Sequence, residues 1–313
     1  MRILVTGGAG FIGSHLVEAL VAGGHGVRVL DDLSSGTRRN LARCIADIDL
    51  IEGDVRDAST VRLAVERCEA IFHAAAIVSV ARSVEEPELV HSVNAGGTLT
   101  MLEAARACGA RRLVLASSCA VYGDPPTLPV AEDTPTDPLS PYAASKLAAE
   151  EQCRRFAAAG GLETVCLRYF NVYGPRQDPS SQYSGVIARF MDGALAGRPL
   201  TIFGDGNQTR DFVFVGDVVR ANVSALTGGW PELPGDGRPV NVGSGVPTSV
   251  SQIAAAVRLL AGRDVAVRSQ LARAGDILHS QADTALAASL LGFRAETSFA
   301  DGLAETFAWF AGL

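Results

Sequence analysis

Tyr142 and Lys146 stand four residues apart in the stretch "PYAASK". In a helix that spacing puts a phenol and an ammonium on one face. Ser140 is a good N-cap and Pro141 suits the first helical position, so the sequence predicts a helix opening here. To act as a base near pH 7, a phenol must fall about 3 pH units below its free value, about 4 kcal/mol. A neighbouring cation moves it in that direction. The plainer alternative, a surface helix with a half-buried tyrosine, fits the hexapeptide equally. Upstream, "RRLVLAS" reads as a strand that delivers Ser118 of "SSCAVYG" to its C-terminal end, where open α/β sheets gather ligands. A serine there can hydrogen-bond a substrate hydroxyl that loses its proton.

Holding such residues together requires several strands that end at one edge. The runs "RILV", "GVRVL", "IDLIEG", "AIFHAA", "RRLVLAS" and "ETVCLRYF" alternate with helical patterns over 12–22, 57–68, 86–108 and 142–159. This alternation predicts an α/β fold, a Rossmann-type doubly wound parallel sheet covered by helices on both faces. After about residue 175 the alternation breaks into turns, short strands and helices, read as a smaller α/β C-terminal substrate domain. "FVFVGDVVRANVSAL" and "PVNVGSG" read as a return to the main domain. The expected domains are therefore 1–175 with about 212–248, and about 176–211 with 249–313; residues 228–239 are a Gly/Pro-rich surface loop.

The 313 residues are 48% apolar and 19% charged, which describes a globular chain with a sizeable core. A net charge of −7 argues against nucleic acid and anionic membranes as partners. Six cysteines show no C-x-x-C pair and no metal-ligand spacing, so reduced thiols and no metal are expected. Glycines, His15 and Glu18 interrupt the apolar N-terminus, and no eighteen-residue apolar run follows. The expectation is a soluble, cytoplasmic protein without a membrane span.

The N-terminus supplies a strand, then Gly7-x-x-Gly10-x-x-Gly13, then a helix. Those glycines permit a tight turn and close approach of a pyrophosphate to the helix N-terminus. "VRVLDD" ends a second strand at Asp31, placed to accept hydrogen bonds from an adenosine ribose and to repel a 2′-phosphate. NAD is favoured over NADP, with Arg38 and Arg39 near enough to leave NADP open. Asp54 suits the adenine edge, or else caps a helix starting near Asp57. The positive ring of an oxidised nicotinamide would also favour a Tyr142 phenolate.

"TGGAGFIGSH", "SSCAVYG", "PYAASK", "LRYFNVYGPRQ", "TRDFVFVGDVV" and "RAGDI" together resemble the extended short-chain dehydrogenase/reductases, and among them the UDP-sugar 4-epimerases. The resemblance runs from Arg2 to the final helix. It implies that Tyr142, Ser118 and Lys146 are catalytic: Tyr142 takes the sugar O4 proton, hydride passes from C4 to a tightly bound NAD, and the 4-keto sugar turns and is reduced on its other face. It implies NAD contacts from Gly7, Gly10, Phe11, Ile12 and Gly13, and from Asp31, Asp32, Leu33, Ser35 and Gly36 after the second strand. Asp54 and Val55 follow the third strand, and Ala74, Ala75 and Ala76 the fourth. Asn94, Ser117 and Phe170 complete the set with Tyr142 and Lys146.

On the substrate side the resemblance implies Ser118, Tyr142, Asn171, Val186 and Ile187. Thr201, Ile202 and Phe203 would border uracil. Arg210 and Arg273 would hold the diphosphate, and Asp276 the uridine ribose. Sugar-nucleotide dehydratases carry acids where this chain has Cys119 and Ala120, which demotes elimination. Relatives acting on UDP-glucuronate tend to carry threonine in place of Asn171. Hexose-only epimerases carry tyrosine in place of Ser280, so a serine would admit an N-acetyl group and extend the range to UDP-GlcNAc and UDP-GalNAc, unless Tyr183 fills the space. Val78 replaces a lysine of some epimerases. NAD-sensing regulators share the fold but typically lose the tyrosine or lysine kept here. By analogy with the family, helices 86–108 and 142–159 would form a homodimer.

Overall fold

The computed structural model describes residues 1–179, 185–228, 235–272 and 277–312. In chain order the first half runs β1 (Arg2–Thr6), α1 (Phe11–Ala22), β2 (Gly26–Asp31), β3 (Ile48–Glu52), α2 (Ala58–Val65), β4 (Ala70–His73), α3 (Val80–Glu85), α4 (Pro87–His91), α5 (Gly97–Ala107), β5 (Arg112–Ser118), α6 (Pro141–Ala158) and β6 (Glu163–Tyr169). There follow β7 (Asn171–Tyr173), α7 (Val186–Leu195), β8 (Leu200–Phe203), β9 (Thr209–Phe214), α8 (Val215–Thr227), β10 (Asp236–Val242), β11 (Pro247–Ser249), α9 (Val250–Ala261), β12 (Val267–Gln270), α10 (Ala285–Leu291) and α11 (Phe299–Ala311). A π-helical turn, Ser92–Gly96, joins α4 to α5. No helix among the described residues is long and apolar enough to cross a membrane.

Seven parallel strands form the main sheet in the order β10-β6-β5-β4-β1-β2-β3. The Rossmann-type α/β fold expected of the alternating pattern is the one observed. The strands inside the sheet are buried on both faces, which is why runs such as Arg2–Thr6 and Arg112–Ser118 are continuously apolar rather than alternating, while the edge strand β3 buries no residue fully. Along β1, Ile3 and Val5 join the core beneath α1 and α8, while Leu4 joins the core beneath α2, α5 and α6. Burying each such side chain contributes roughly 1.5–3 kcal/mol.

The rest of the chain builds a three-stranded sheet, β11-β9-β7, a parallel pair, β12-β8, and a third core around Ile187, Phe190, Phe212, Phe214 and Ile253. β10 lies in the main sheet, whereas β9 belongs to the three-stranded one. Ala287, Leu291 and Phe293, at and after α10, pack under the main sheet. The helix at Tyr142 forms as its cap signals require: Ser140 Oγ accepts the Ala143 N–H at 3.1 Å, and Pro141 is the first residue inside.

Candidate active site

The reactive residues lie where β5 ends and α6 begins. Ser118 terminates β5, accepts the Ala120 N–H on Oγ at 3.1 Å, and hydrogen-bonds the Tyr142 phenol. Tyr142 is buried, and burial pushes its phenol up to about 12, with the Ser118 bond pulling the other way. The sequence led us to expect a phenol lowered by Lys146. In the protein alone Lys146 is not among the groups that lower it: burial dominates, Ser118 opposes it, and Lys146 Nζ donates to the Ala116 carbonyl at 2.9 Å. Burial lowers the Lys146 ammonium to about 8, and Glu150 one turn on partly restores it. Glu150 is fully enclosed: Arg168 grips both its oxygens at 2.9 and 2.7 Å, and Ser117 Oγ donates to it at 2.5 Å. Burial pushes the Cys119 thiol up to about 12, beyond use as an acid or base at neutral pH.

The glycine turn leaves no room for side chains. A Cβ on Gly13 would stand 2.1 Å from the Gly7 carbonyl oxygen, and one on Gly7, at φ +67°, 2.8 Å from the Ala75 nitrogen. Gly10 caps α1 with no side-chain acceptor. The first-turn N–H groups, at Phe11, Ile12 and Gly13, are therefore left for an anion. Asp31 accepts the Ala9 and Leu33 N–H groups at 2.8 and 2.9 Å, one on each oxygen. Each oxygen keeps a lone pair of the kind a ribose diol needs. Arg38 is paired with Glu52 at 2.8 Å, which occupies one of the two cations near a 2′-phosphate position. These features fit a dinucleotide without that phosphate.

Other residues of the expected cofactor set have different partners. Asp54 is held by the Arg56 guanidinium, and Asp57, not Asp54, caps α2. Asp32 accepts Ser34, Gly36 backs onto Ala9, and Val55 packs on Gly97. Ala74, Ala75 and Ala76 form the half-buried loop after β4. Asn94 turns its amide to Ile77 and Ser145, and Phe170 is buried with Tyr122 and Val130. Ser35 and Val78 are exposed.

A cavity of about 820 Å³ opens beside β7, α7 and β8, a volume in the range of ligand pockets. Asn171, Val186, Ile187, Thr201, Phe203 and Arg210 line it. Ile202, between two lining residues, points into the core by strand alternation. Gln177, which ends the motif "LRYFNVYGPRQ", and Arg189, Gln208 and Gln270 also line it; the sequence reading gave none of them a role. Arg210 Nη1 donates to the Thr209 carbonyl at 2.8 Å.

Next to Arg210, the fully buried Asp211 receives four donors: Ser244 N–H and Oγ at 2.7 Å each, Gly245 N–H at 2.9 Å and Ala282 N–H at 3.0 Å. This carboxylate ties the segment carrying Ser280 to β9, and Ser280 itself donates its N–H to Thr209 at 3.2 Å. Ser280 is half-buried and is not among the described residues that line the cavity. Arg273, Asp276 and Tyr183 lie outside the described residues.

The sequence model of the NAD dependent epimerase/dehydratase family matches residues 3–243. A UDP-glucose 4-epimerase of Mycolicibacterium smegmatis is 44% identical over 314 aligned positions, which span 99% of this chain and 98% of the relative. Among solved structures, a Thermotoga maritima UDP-glucose 4-epimerase with UDP-glucose superposes with a TM-score of 0.93 at 38% identity, covering 100% of this chain and 99% of that one. A Methanobrevibacter ruminantium UDP-N-acetylglucosamine 4-epimerase in complex with UDP-N-acetylmuramic acid gives 0.93 at 34% identity, covering 99% and 98%.

Proposed function

The chain belongs to the NAD dependent epimerase/dehydratase family, and we propose that it inverts C4 of a UDP-sugar through a 4-keto intermediate. One observation carries this reading: Ser118 and Tyr142 are hydrogen-bonded at a strand end, Lys146 is one turn away, and the neighbouring thiol cannot act as an acid. Epimerisation needs one proton taken and returned at O4, which a single phenol with a serine partner can do. Elimination of water would need a further acid and base, and Cys119 and Ala120 provide neither.

When bound, NAD supplies the acceptor and donor of the C4 hydride and, in its oxidised state, a positive charge. Tyr142 takes the O4 proton, and Ser118 orients that hydroxyl through its own. Lys146 keeps a cation near the phenol and holds the cofactor ribose. Gly7, Gly10 and Gly13 admit the pyrophosphate, and Asp31 holds the adenosine ribose. Asn171 and Arg210 hold the sugar and the diphosphate from the cavity wall, with Arg273 and Asp276 completing the nucleotide site. Because each turnover restores the cofactor, NAD remains bound.

The substrate range extends to UDP-GlcNAc and UDP-GalNAc as well as UDP-glucose and UDP-galactose. Ser280 supports this by its small size, and so does the relative that holds UDP-N-acetylmuramic acid. Residues 1–175 with about 212–248 serve the cofactor, and the remainder serves the UDP-sugar. Two copies pair through helices 86–108 and 142–159, where Leu99 is exposed; sedimentation at micromolar concentration tests that.

The enzymatic test incubates the protein with UDP-GlcNAc and with UDP-glucose, no NAD added, and separates the C4 epimers. Turnover of both is expected. Turnover of UDP-glucose alone removes the Ser280 argument, and accumulation of NADH would indicate a dehydrogenase instead.

A further inference from the structure

Thr6, His73, Thr98, Asn94 and Ser145, none of them more than 2% exposed, form one hydrogen-bonded line behind the reactive centre that passes through both the backbone carbonyl and the side chain of Asn94. They come from β1, β4, α5, the π turn and α6. At one end the Ala75 N–H donates to Thr6 Oγ1 at 3.2 Å, and Thr6 gives its own proton to His73 Nδ1 at 2.7 Å. Thr98 Oγ1 donates to the backbone carbonyl of Asn94 at 2.5 Å, so toward His73 Nε2, 3.1 Å away, it can only accept. Asn94 Oδ1 accepts the Ile77 N–H at 2.8 Å, while its Nδ2 donates to the Ile77 carbonyl at 3.0 Å and to Ser145 Oγ at 2.9 Å. Ser145 passes its proton to the Tyr142 carbonyl at 2.7 Å.

A hydroxyl has one proton and a carbonyl none, so every bond in the line has a fixed direction. His73 is thereby the neutral Nε2–H tautomer. Protonating it would leave the Thr6 proton without an acceptor, and burial together with the Lys146 charge holds the imidazole down at about 3.

We propose that His73 is a positioning residue: through Thr98, Asn94 and Ser145 it locks the loop after β4 to the first turn of α6, and so fixes where Tyr142 stands. The proposal rests on the epimerase reading for its consequence but not for its geometry. Sequence distance concealed it, since Thr6, His73 and Ser145 are far apart in the chain and each is an ordinary core residue by type.

Two readouts test it. The first needs no turnover: in holoenzyme labelled with 15N-histidine, one of the five histidine rings should be Nε2–H and stay neutral down to about pH 5, where an ordinary histidine is charged. The second is Thr98→Val, close in shape but lacking the hydroxyl. Its kcat should fall about tenfold or more, as a misplaced reacting group implies, with KM and bound NAD unchanged, and Thr98→Ser should restore the rate. If Thr98→Val folds poorly, Ser145→Ala cuts the same line at its last link and should show the same loss. A ring that titrates normally, or is Nδ1–H, overturns the line whatever the activity. Wild-type kcat in Thr98→Val, or a loss that only tracks missing NAD or unfolded protein, overturns the positioning role. A correct ring signature in a chain that turns over no UDP-sugar faults the reaction and upholds the line.

Discussion

Lys146 carries an ammonium in a site where burial lowers it from its ordinary 10.5 to about 8. At pH 7 the folded chain therefore holds a charge that water would solvate better. A gap of about 2.5 pH units corresponds to about 3 kcal/mol of lost stability. Lys146→Met keeps the apolar stem and removes the charge. It also strips the Ala116 carbonyl of its 2.9 Å donor, which takes back about 1 kcal/mol. A net gain of about 2 kcal/mol is expected at pH 7.

The sign with pH follows from a folded pKa that lies below the unfolded one. Between about 8 and 10.5 the unfolded chain binds more protons at this site, so wild type gains stability as pH rises and the variant does not. The advantage of Lys146→Met should shrink across that window and reverse slightly at its top. Denaturant midpoints on cofactor-stripped protein measure this without the linkage to bound NAD. The same substitution should lower kcat by about a hundredfold, because the proposed lysine hold on the cofactor ribose is lost and the hydride acceptor is misplaced. A stability difference that is constant from pH 7 to pH 10.5, or a variant less stable throughout, would refute the reasoning.

Tyr142→Phe should lower kcat by about 10²–10⁴-fold, the usual worth of a positioned acid–base group, while calorimetry finds UDP binding unchanged. Arg168→Met leaves Glu150 buried with a single hydroxyl donor and should cost about 3–5 kcal/mol in thermal or denaturant unfolding, most of it recovered in the double variant Glu150→Leu, Arg168→Met. Gly13→Ala places a Cβ 2.1 Å from the Gly7 oxygen; the purified protein should carry little NAD by absorbance after acid release. Ser280→Tyr should abolish UDP-GlcNAc turnover and spare that of UDP-glucose in the epimer assay, and equal losses on both would show that Ser280 does not select.

The parts of the fold that were legible depend on neighbours in sequence. β1, β2, β4, β5 and β6 bury residues on both faces and so appear as largely apolar runs, and α6 begins where Ser140 and Pro141 place it. The glycine turn was legible because Gly13 packs on the Gly7 carbonyl six residues before it; the approach of Ala75 to Gly7 across the sheet was not. Partners chosen across the sheet were not. Lys146 shares a face with Tyr142, yet its Nζ finds the Ala116 carbonyl, and the charge expected to lower the phenol is directed elsewhere. Arg38 finds Glu52, and Asp54 finds Arg56 rather than a helix end.

The same distinction explains why the reaction depends on more than its motif. Tyr142 at about 12 is a poor base in the protein alone. Among the groups that shift it, only the Ser118 hydrogen bond opposes burial, and no described cation is one of them. In the proposed reaction Tyr142 is thus held ready but not activated. Under that proposal, activation would come with the positive charge of the oxidised cofactor, which would tie proton removal to the presence of a hydride acceptor. A chain arranged this way suppresses proton transfer when hydride has nowhere to go, and that coupling suits a reaction that must return both to the same sugar.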